Sequence, residues 1–278
     1  MTELPLPVRR MARLAWHGGL AGEGERTLAE ETPVAISYDG AAYAVMMASP
    51  TDLADFATGF SLTEGIVAHA AEIGELEVVP VANGVNLRIW LMEGPSAAFA
   101  ARRRRYLGPA GCGMCGLESL AEANRTVPQV VSALRVSAAG IAAAAAALPA
   151  MQPLNVQTRA VHAAGFWQEG APMLAREDVG RHNALDKLAG ALARAGRSAC
   201  DGMVVLSSRV SIELVQKAAM MGAGVLVAVS APTALAVRAA EAAGITLVAV
   251  ARGDGFEVFC HAERIVDAQH DGTRLHVA

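Results

Sequence analysis

Between residues 203 and 250 the chain alternates short apolar runs with helical periods, and few architectures accommodate that order. Met203–Leu206, Val225–Val229 and Ile245–Val250 have strand length and consist almost wholly of apolar residues. Between them lie Ser211–Met221 and Thr233–Ala243, whose apolar residues recur at helical spacing. A β-α-β-α-β succession predicts parallel strands joined by crossover helices that pack on the sheet. Upstream, Ala160–Trp167 and Pro172–Arg176 read as paired strands around Glu169-Gly170, followed by a helix over Val179–Ala195 that ends at Gly196. Downstream, Gly253-Asp254-Gly255 turns into a final antiparallel strand, Phe256–Cys260.

The N-terminal third has another grammar. Pro33–Tyr38 and Ala42–Met47 flank Asp39-Gly40, a strong hairpin signal, and a second hairpin pairs Glu77–Val81 with Val85–Met92 through Asn83-Gly84. Ser49-Pro50-Thr51 opens a helix in which Leu53, Phe56, Ala57 and Phe60 share a face, with Pro50 suited to its first turn. These elements predict a small antiparallel α+β part over residues 31–105. Residues 1–30 lack periodicity and hold Gly18, Gly19, Gly22 and Gly24, so they are expected to form a flexible arm. Residues 106–126 read as a mobile loop and residues 127–278 as an α/β domain with helices packed on its sheet.

Hydrophobic residues make up 53% of the chain and mean hydropathy is +0.34. A membrane helix nevertheless needs about 20 consecutive apolar residues. The Ala138–Ala147 run stops at Pro149, and Met220–Val250 is broken by Gly222, Gly224, Pro232, Arg238, Glu241 and Gly244. Arg9, Arg10 and Arg13 are followed by no apolar segment, so no signal peptide is read. The expectation is a cytoplasmic chain that does not enter a membrane. A net charge of −4 argues against a globally basic nucleic-acid binder.

Of four cysteines, two stand in Cys112-Gly-Met-Cys115 within a loop punctuated by Gly111, Gly113 and Gly116. Half of a structural zinc site is one reading, but Cys200, Cys260 and His261 do not supply a second half at the usual spacing. A zinc deaminase places its His-x-Glu before the cysteines, whereas His261-Ala-Glu263 follows them. A thioredoxin-type pair belongs between a strand and a helix start. A reactive thiol pair fits the glycine-flanked loop better, with the Arg102–Arg105 run upstream as a source of positive charge or as an ordinary solvated helix face. Elsewhere, Arg181-His182-Asn183 follows Gly180 at a helix start, where N–H groups favour anions. Ser207-Ser-Arg209 and Ser230-Ala-Pro-Thr233 follow parallel strands, at ligand-binding or helix-capping positions.

Cys112–Gly116, the string Arg176-Glu-Asp-Val-Gly-Arg-His-Asn-Ala-Leu-Asp-Lys187, Ser208–Lys217, Val229–Pro232 and Gly59–Ile66 together resemble the FdhD family, the formate dehydrogenase accessory sulfurtransferases. The resemblance runs from about Glu31 to Ile265. It implies a cytidine-deaminase-like α/β/α domain, a homodimer, and sulfur accepted from a cysteine desulfurase as a persulfide on Cys112, with Cys115 assisting or relaying. The sulfur then passes to molybdenum in the bis-(molybdopterin guanine dinucleotide) cofactor, which enters formate dehydrogenase. The family's cofactor-binding segment matches Phe256, Glu257, Val258, Phe259, Cys260 and His261, and Arg181, His182 and Arg209 are further candidate contacts. Two readings compete with this one: a cofactor chaperone without sulfur chemistry, and a zinc-binding structural protein. Pro109-Ala-Gly111 departs from the small hydroxyl residues common before the pair, which bears on the thiol pKa.

Overall fold

The computed structural model describes residues 3–103, 127–253 and 255–266. A six-stranded mixed sheet dominates the C-terminal half, in the order β12-β11-β10-β9-β7-β8. Its strands are β7 (His162–Trp167), β8 (Leu174–Asp178), β9 (Met203–Leu206), β10 (Val225–Ala228), β11 (Thr246–Arg252) and β12 (Gly255–Cys260). The central β9, β10 and β11 are parallel, as the alternating pattern predicts. Each is buried on both faces. Val204, Leu206, Leu226, Ala228, Leu247 and Ala249 face one core, while Val205, Val227 and Val248 face another.

Helices α5 (Arg181–Arg194), α6 (Ile212–Met220) and α7 (Ala234–Ala243) cover the first face. The second face is covered by α3 (Ala138–Ala147), whose Ile141 and Ala144 are fully buried. The result is a three-layer α/β/α arrangement. Thr233 caps α7 by accepting from Ala236 N, so this threonine serves the helix.

The N-terminal half contains a four-stranded sheet, order β4-β3-β6-β5, built from β3 (Thr32–Tyr38), β4 (Ala41–Ala48), β5 (Ile73–Val81) and β6 (Gly84–Leu91). Its Val34, Ile36, Val85 and Leu87 bury against α1 (Leu53–Thr63), and Phe99 of α2 (Glu93–Arg103) joins the same core. Asp39 and Gly40 both adopt positive φ (50° and 76°), the conformation that a tight two-residue hairpin turn requires. The sheet is not wholly antiparallel. β3 pairs in parallel with β6, because α1 and the chain after it carry the backbone across before β5 and β6 form.

The chain before Glu30 also departs from expectation. β1 (Val8–His17) and β2 (Leu20–Ala29) form a ten-pair antiparallel ribbon turning at Gly18-Gly19, where an irregular arm was expected. Both faces of the ribbon are largely exposed, so no buried face imposes the alternation by which a strand is read from sequence. The expected helix start also shifts. Pro50 precedes the cap, and Asp52 (φ 52°) occupies the N-cap position.

The two halves meet where α1 crosses α5. A Cβ at Gly59 would fall on the Asp186 carbonyl oxygen and 2.6 Å from Gly190 N, and one at Gly190 would fall on the Asp55 carbonyl oxygen. Two glycines thus let the helix backbones touch. Around that contact sit buried charges. Lys217 donates to Asp186 (2.9 and 3.1 Å), Glu64 (2.7 Å) and Thr63 (3.1 Å), and Thr63 donates to Asp186 (2.6 Å).

Candidate functional site

Strand direction decides which residues share an edge. β8, β9, β10 and β11 all end at the same edge of the six-stranded sheet, while the antiparallel β7 and β12 begin there. That carboxyl edge therefore collects His162, the starts of α5, α6 and α7, Ser207–Arg209, Ser230–Thr233 and Phe256. Three helix N-termini converge on it, and each favours negative charge.

The string Arg176–Lys187 shows how the α5 N-terminus is held. Asp178 and Lys187 are fully buried and paired at 2.6 Å. Asp178 also accepts from Ser49 N (2.9 Å), Gly180 N (2.8 Å) and Asn183 Nδ2 (3.0 Å), and Lys187 donates to Ser49 O (2.9 Å). Arg176 donates to Asp55, and Glu177 accepts from Leu154 N and Asn155 N (2.8 Å each) at the start of α4 (Pro153–Thr158). Most of the string therefore fixes backbone. Arg181 and His182 are left over.

These two side chains are half-buried, and Arg181 Nε and His182 Nε2 are buried atoms without a hydrogen-bond partner. Glu213 Oε2, in the first turn of α6, is a third. A buried polar atom left unpaired costs about 1–3 kcal/mol, and Arg181, His182 and Glu213 bring three of them to this edge. Burial, with Arg181 and Lys217 nearby, pushes His182 down to about 4. Burial and Arg181 lower His162 as well. Both imidazoles are neutral at pH 7. Burial alone would raise Glu213, but Ser211, its own backbone N–H, His182 and Arg181 outweigh burial and hold the carboxyl low.

Arg209 projects from the loop after β9 and is exposed. The neighbouring hydroxyls are committed elsewhere. Ser207 Oγ accepts from Ala163 N (2.8 Å), and Ser208 Oγ donates to Arg209 O (3.0 Å). The edge thus offers Arg181 and Arg209 as cations, His162 and His182 as neutral imidazoles, and Glu213 as an acceptor. Phosphate groups suit this donor set.

The expected cofactor segment is divided by its own strand. β12 begins at the carboxyl edge, so Phe256 stands near Arg181 and Arg209 only in the sense of sharing that edge. Cys260, the last residue of β12, lies at the opposite edge, ~13 Å along the strand at about 3.3 Å per residue, and His261 follows it in a left-handed conformation (φ 53°). Cys260 is buried, its thiol donates to Ile245 O (3.2 Å), and burial raises its pKa. His261 contacts Glu241 O (2.9 Å) and Glu263 (3.1 Å), which raise its pKa. Glu257, Val258 and Phe259 are exposed between the two ends. Cys260 and His261 therefore stand apart from Arg181, His182 and Arg209, whereas Phe256 shares their edge. The reason is geometric: β12 runs from one edge of the sheet to the other.

Cys112 and Cys115 lie outside the described residues, as do Arg104 and Arg105. Among the described residues no group of three or more His, Cys, Asp or Glu could hold a metal ion. Sequence reasoning missed His162 and Glu213. Glu213 looks like an ordinary acid in a helix first turn, and His162 acquires meaning only when antiparallel β7 carries it to this edge.

Comparison with known proteins agrees with this architecture. Residues 29–266 match the family model of the FdhD/NarQ family. The chain is 54% identical over 261 residues to the sulfur carrier protein FdhD of Agrobacterium fabrum, covering 93% of this chain and 96% of that one. It is 50% identical over 248 residues to the protein so named in Brucella abortus, covering 88% and 92%. A crystal structure from Desulfotalea psychrophila, described as a formate dehydrogenase accessory protein, superposes with a TM-score of 0.73 at 25% identity, covering 94% of this chain and all of that one. The chain belongs to the FdhD/NarQ family.

Proposed function

We propose that this chain is a sulfur carrier serving formate dehydrogenase. The observation that carries this reading is its near full-length similarity to proteins described as sulfur carriers. In the proposed reaction the Cys112 thiolate attacks the outer sulfur of a desulfurase persulfide. A new S–S bond forms on Cys112, the desulfurase thiolate leaves, and the exchange is redox-neutral. Cys115 assists or relays. The carrier, a sulfurtransferase, then delivers this sulfur as sulfide to molybdenum in bis-(molybdopterin guanine dinucleotide), its substrate. The Cys115 thiolate attacks the Cys112 sulfur, the persulfide S–S bond breaks, and the two electrons taken up by the outer sulfur leave the pair as a Cys112–Cys115 disulfide.

The carboxyl edge supports the docking half of the proposal. Arg181 and Arg209 would pair with the dinucleotide phosphates, helped by the converging helix N-termini. His182 and Glu213 offer hydrogen bonds to the less charged parts of the ligand. The proposed setting is the cytoplasm, where thiols stay reduced. No helix among the described residues is long and apolar enough to cross a membrane.

Mass spectrometry after incubation with a cysteine desulfurase and cysteine tests the sulfur step. The wild type should gain ~32 Da, one sulfur atom, and Cys112→Ala should not. Cys112→Ala should still bind the cofactor yet fail to support formate dehydrogenase. A wild type that binds cofactor without any adduct would establish a chaperone in place of a carrier.

A further inference from the structure

Both ring nitrogens of His261 face groups that can only accept. Nε2 meets Glu241 O at 2.9 Å, and Nδ1 meets Glu263 Oε1 at 3.1 Å. A neutral imidazole carries one N–H and leaves its other nitrogen as an acceptor, so it satisfies one of these groups and not both. The imidazolium has two N–H donors and satisfies both. Its surroundings favour that charge. Glu241 lies in the last turn of α7, where unpaired carbonyls form the negative end of the helix dipole. The Glu241 carboxylate adds negative charge 3.8 Å from Nε2. The other titratable neighbours do not oppose it strongly: Cys260 in β12 is a thiol that burial keeps uncharged, and Arg264 spends Nη1 on Thr246 Oγ1 (3.1 Å).

These contacts sit at the end of a weakly held strand. β12 is outermost in the six-stranded sheet, and its register against β11 shifts twice along a short pairing. His261 follows its last residue in a left-handed conformation (φ 53°), with its carbonyl accepting from Thr246 Oγ1 (2.8 Å). The backbone is thus pinned to β11, and the ring reaches across to α7 and to the turn that carries Glu263.

We propose that His261 is a proton-operated latch: its imidazolium holds the end of β12 to α7 and to the following turn, and loss of one proton releases one of the two ring bonds. The step is an acid dissociation. The proton goes to solvent, and the nitrogen that lost it turns a lone pair toward its former acceptor. The Glu241 carbonyl and the Glu263 carboxylate raise the pKa of His261 above the ordinary histidine value, against a smaller effect of burial. With a raised native value, the stabilisation is complete below the unfolded value of about 6.5 and is lost as pH rises through the native midpoint. The latch is therefore closed in mild acid and open in mild alkali. Both carboxylates are largely exposed, so the effect is local to β12. Because β12 begins at the carboxyl edge, opening loosens a strand whose first residues share that edge with Arg181 and Arg209. This inference does not depend on the sulfur chemistry.

Two measurements on the full chain test it. In NMR, the His261 ring signal, assigned by its loss in His261→Gln, should titrate above the ordinary histidine value, and Glu263→Gln should bring its midpoint down. In hydrogen exchange, with rates corrected for their intrinsic pH dependence, the peptide over residues 255–260 should lose protection ~3-fold as pH rises through that midpoint. The peptide over β9 should stay protected throughout, which also shows that each variant is folded. In His261→Gln the pH step in β12 should vanish. A His261 midpoint at or below the ordinary value, β12 protection indifferent to that midpoint, or a step that survives in His261→Gln overturns the proposal.

Discussion

His182 shows most directly how an unpaired group at the carboxyl edge reports on the fold. Burial, Arg181 and Lys217 keep its imidazole neutral to about pH 4, against pull from Glu213 and Glu64. An unfolded histidine takes up its proton near 6.5. Between those values the unfolded chain binds more protons, so this residue's contribution falls as pH falls. His162 acts in the same direction. Asp186 acts oppositely, because burial raises its carboxyl to about 6 despite Lys217 and Thr63. The wild-type curve therefore mixes signs, and the difference from His182→Gln isolates one group. From pH 7 to pH 4.5 the wild type should lose ~2 kcal/mol more than this variant in urea unfolding. Parallel pH profiles would show that His182 is not held neutral by the fold.

Among the elements, the parallel core was the most legible part of the sequence. Met203–Leu206, read from apolar character alone, is β9 residue for residue, because a strand buried on both faces has no polar position to blur its limits. The β1–β2 ribbon was illegible for the converse reason. The α1–α5 contact was also invisible, since Gly59 and Gly190 carry no periodic signal and matter only through what they admit. Replacing a helical glycine by alanine usually stabilises by ~1 kcal/mol. At Gly59 the new Cβ meets backbone of α5, which has no rotamer to escape into, so packing outweighs propensity. Gly59→Ala should destabilise by ~3 kcal/mol. Gly94→Ala in α2, where nothing lies within 4 Å, should be neutral or stabilising. Equal denaturation midpoints for the two variants would mean that α1 and α5 can separate freely.

At the scale of the whole molecule, the quoted string Arg176–Lys187 is chiefly a joint between two sheets. The sequence marked it as specific but could not separate joint from site, because both uses select charged residues. Only the partners distinguish them: Asp178, Lys187, Asn183 and Asp186 find theirs in the N-terminal half, whereas Arg181 Nε and His182 Nε2 find none. A joint built from buried charges makes the halves interdependent. Removing the Lys187 ammonium leaves Asp178 buried with its cation gone, which typically costs about 3–5 kcal/mol. Lys187→Met keeps the apolar stem, so the loss measures the charge and its hydrogen bonds. The Gly59–Gly190 contact and the Asp186–Lys217 network remain in that variant, so the halves should stay coupled while both weaken. Trp90 in β6 and Trp167 in β7 report on the two halves, each in a background where the other tryptophans are Phe. Their unfolding transitions should coincide in the wild type and shift together in Lys187→Met. If Trp90 alone moved, the N-terminal sheet would be an independent folding unit, and the buried charges would fix orientation without joining the two stabilities.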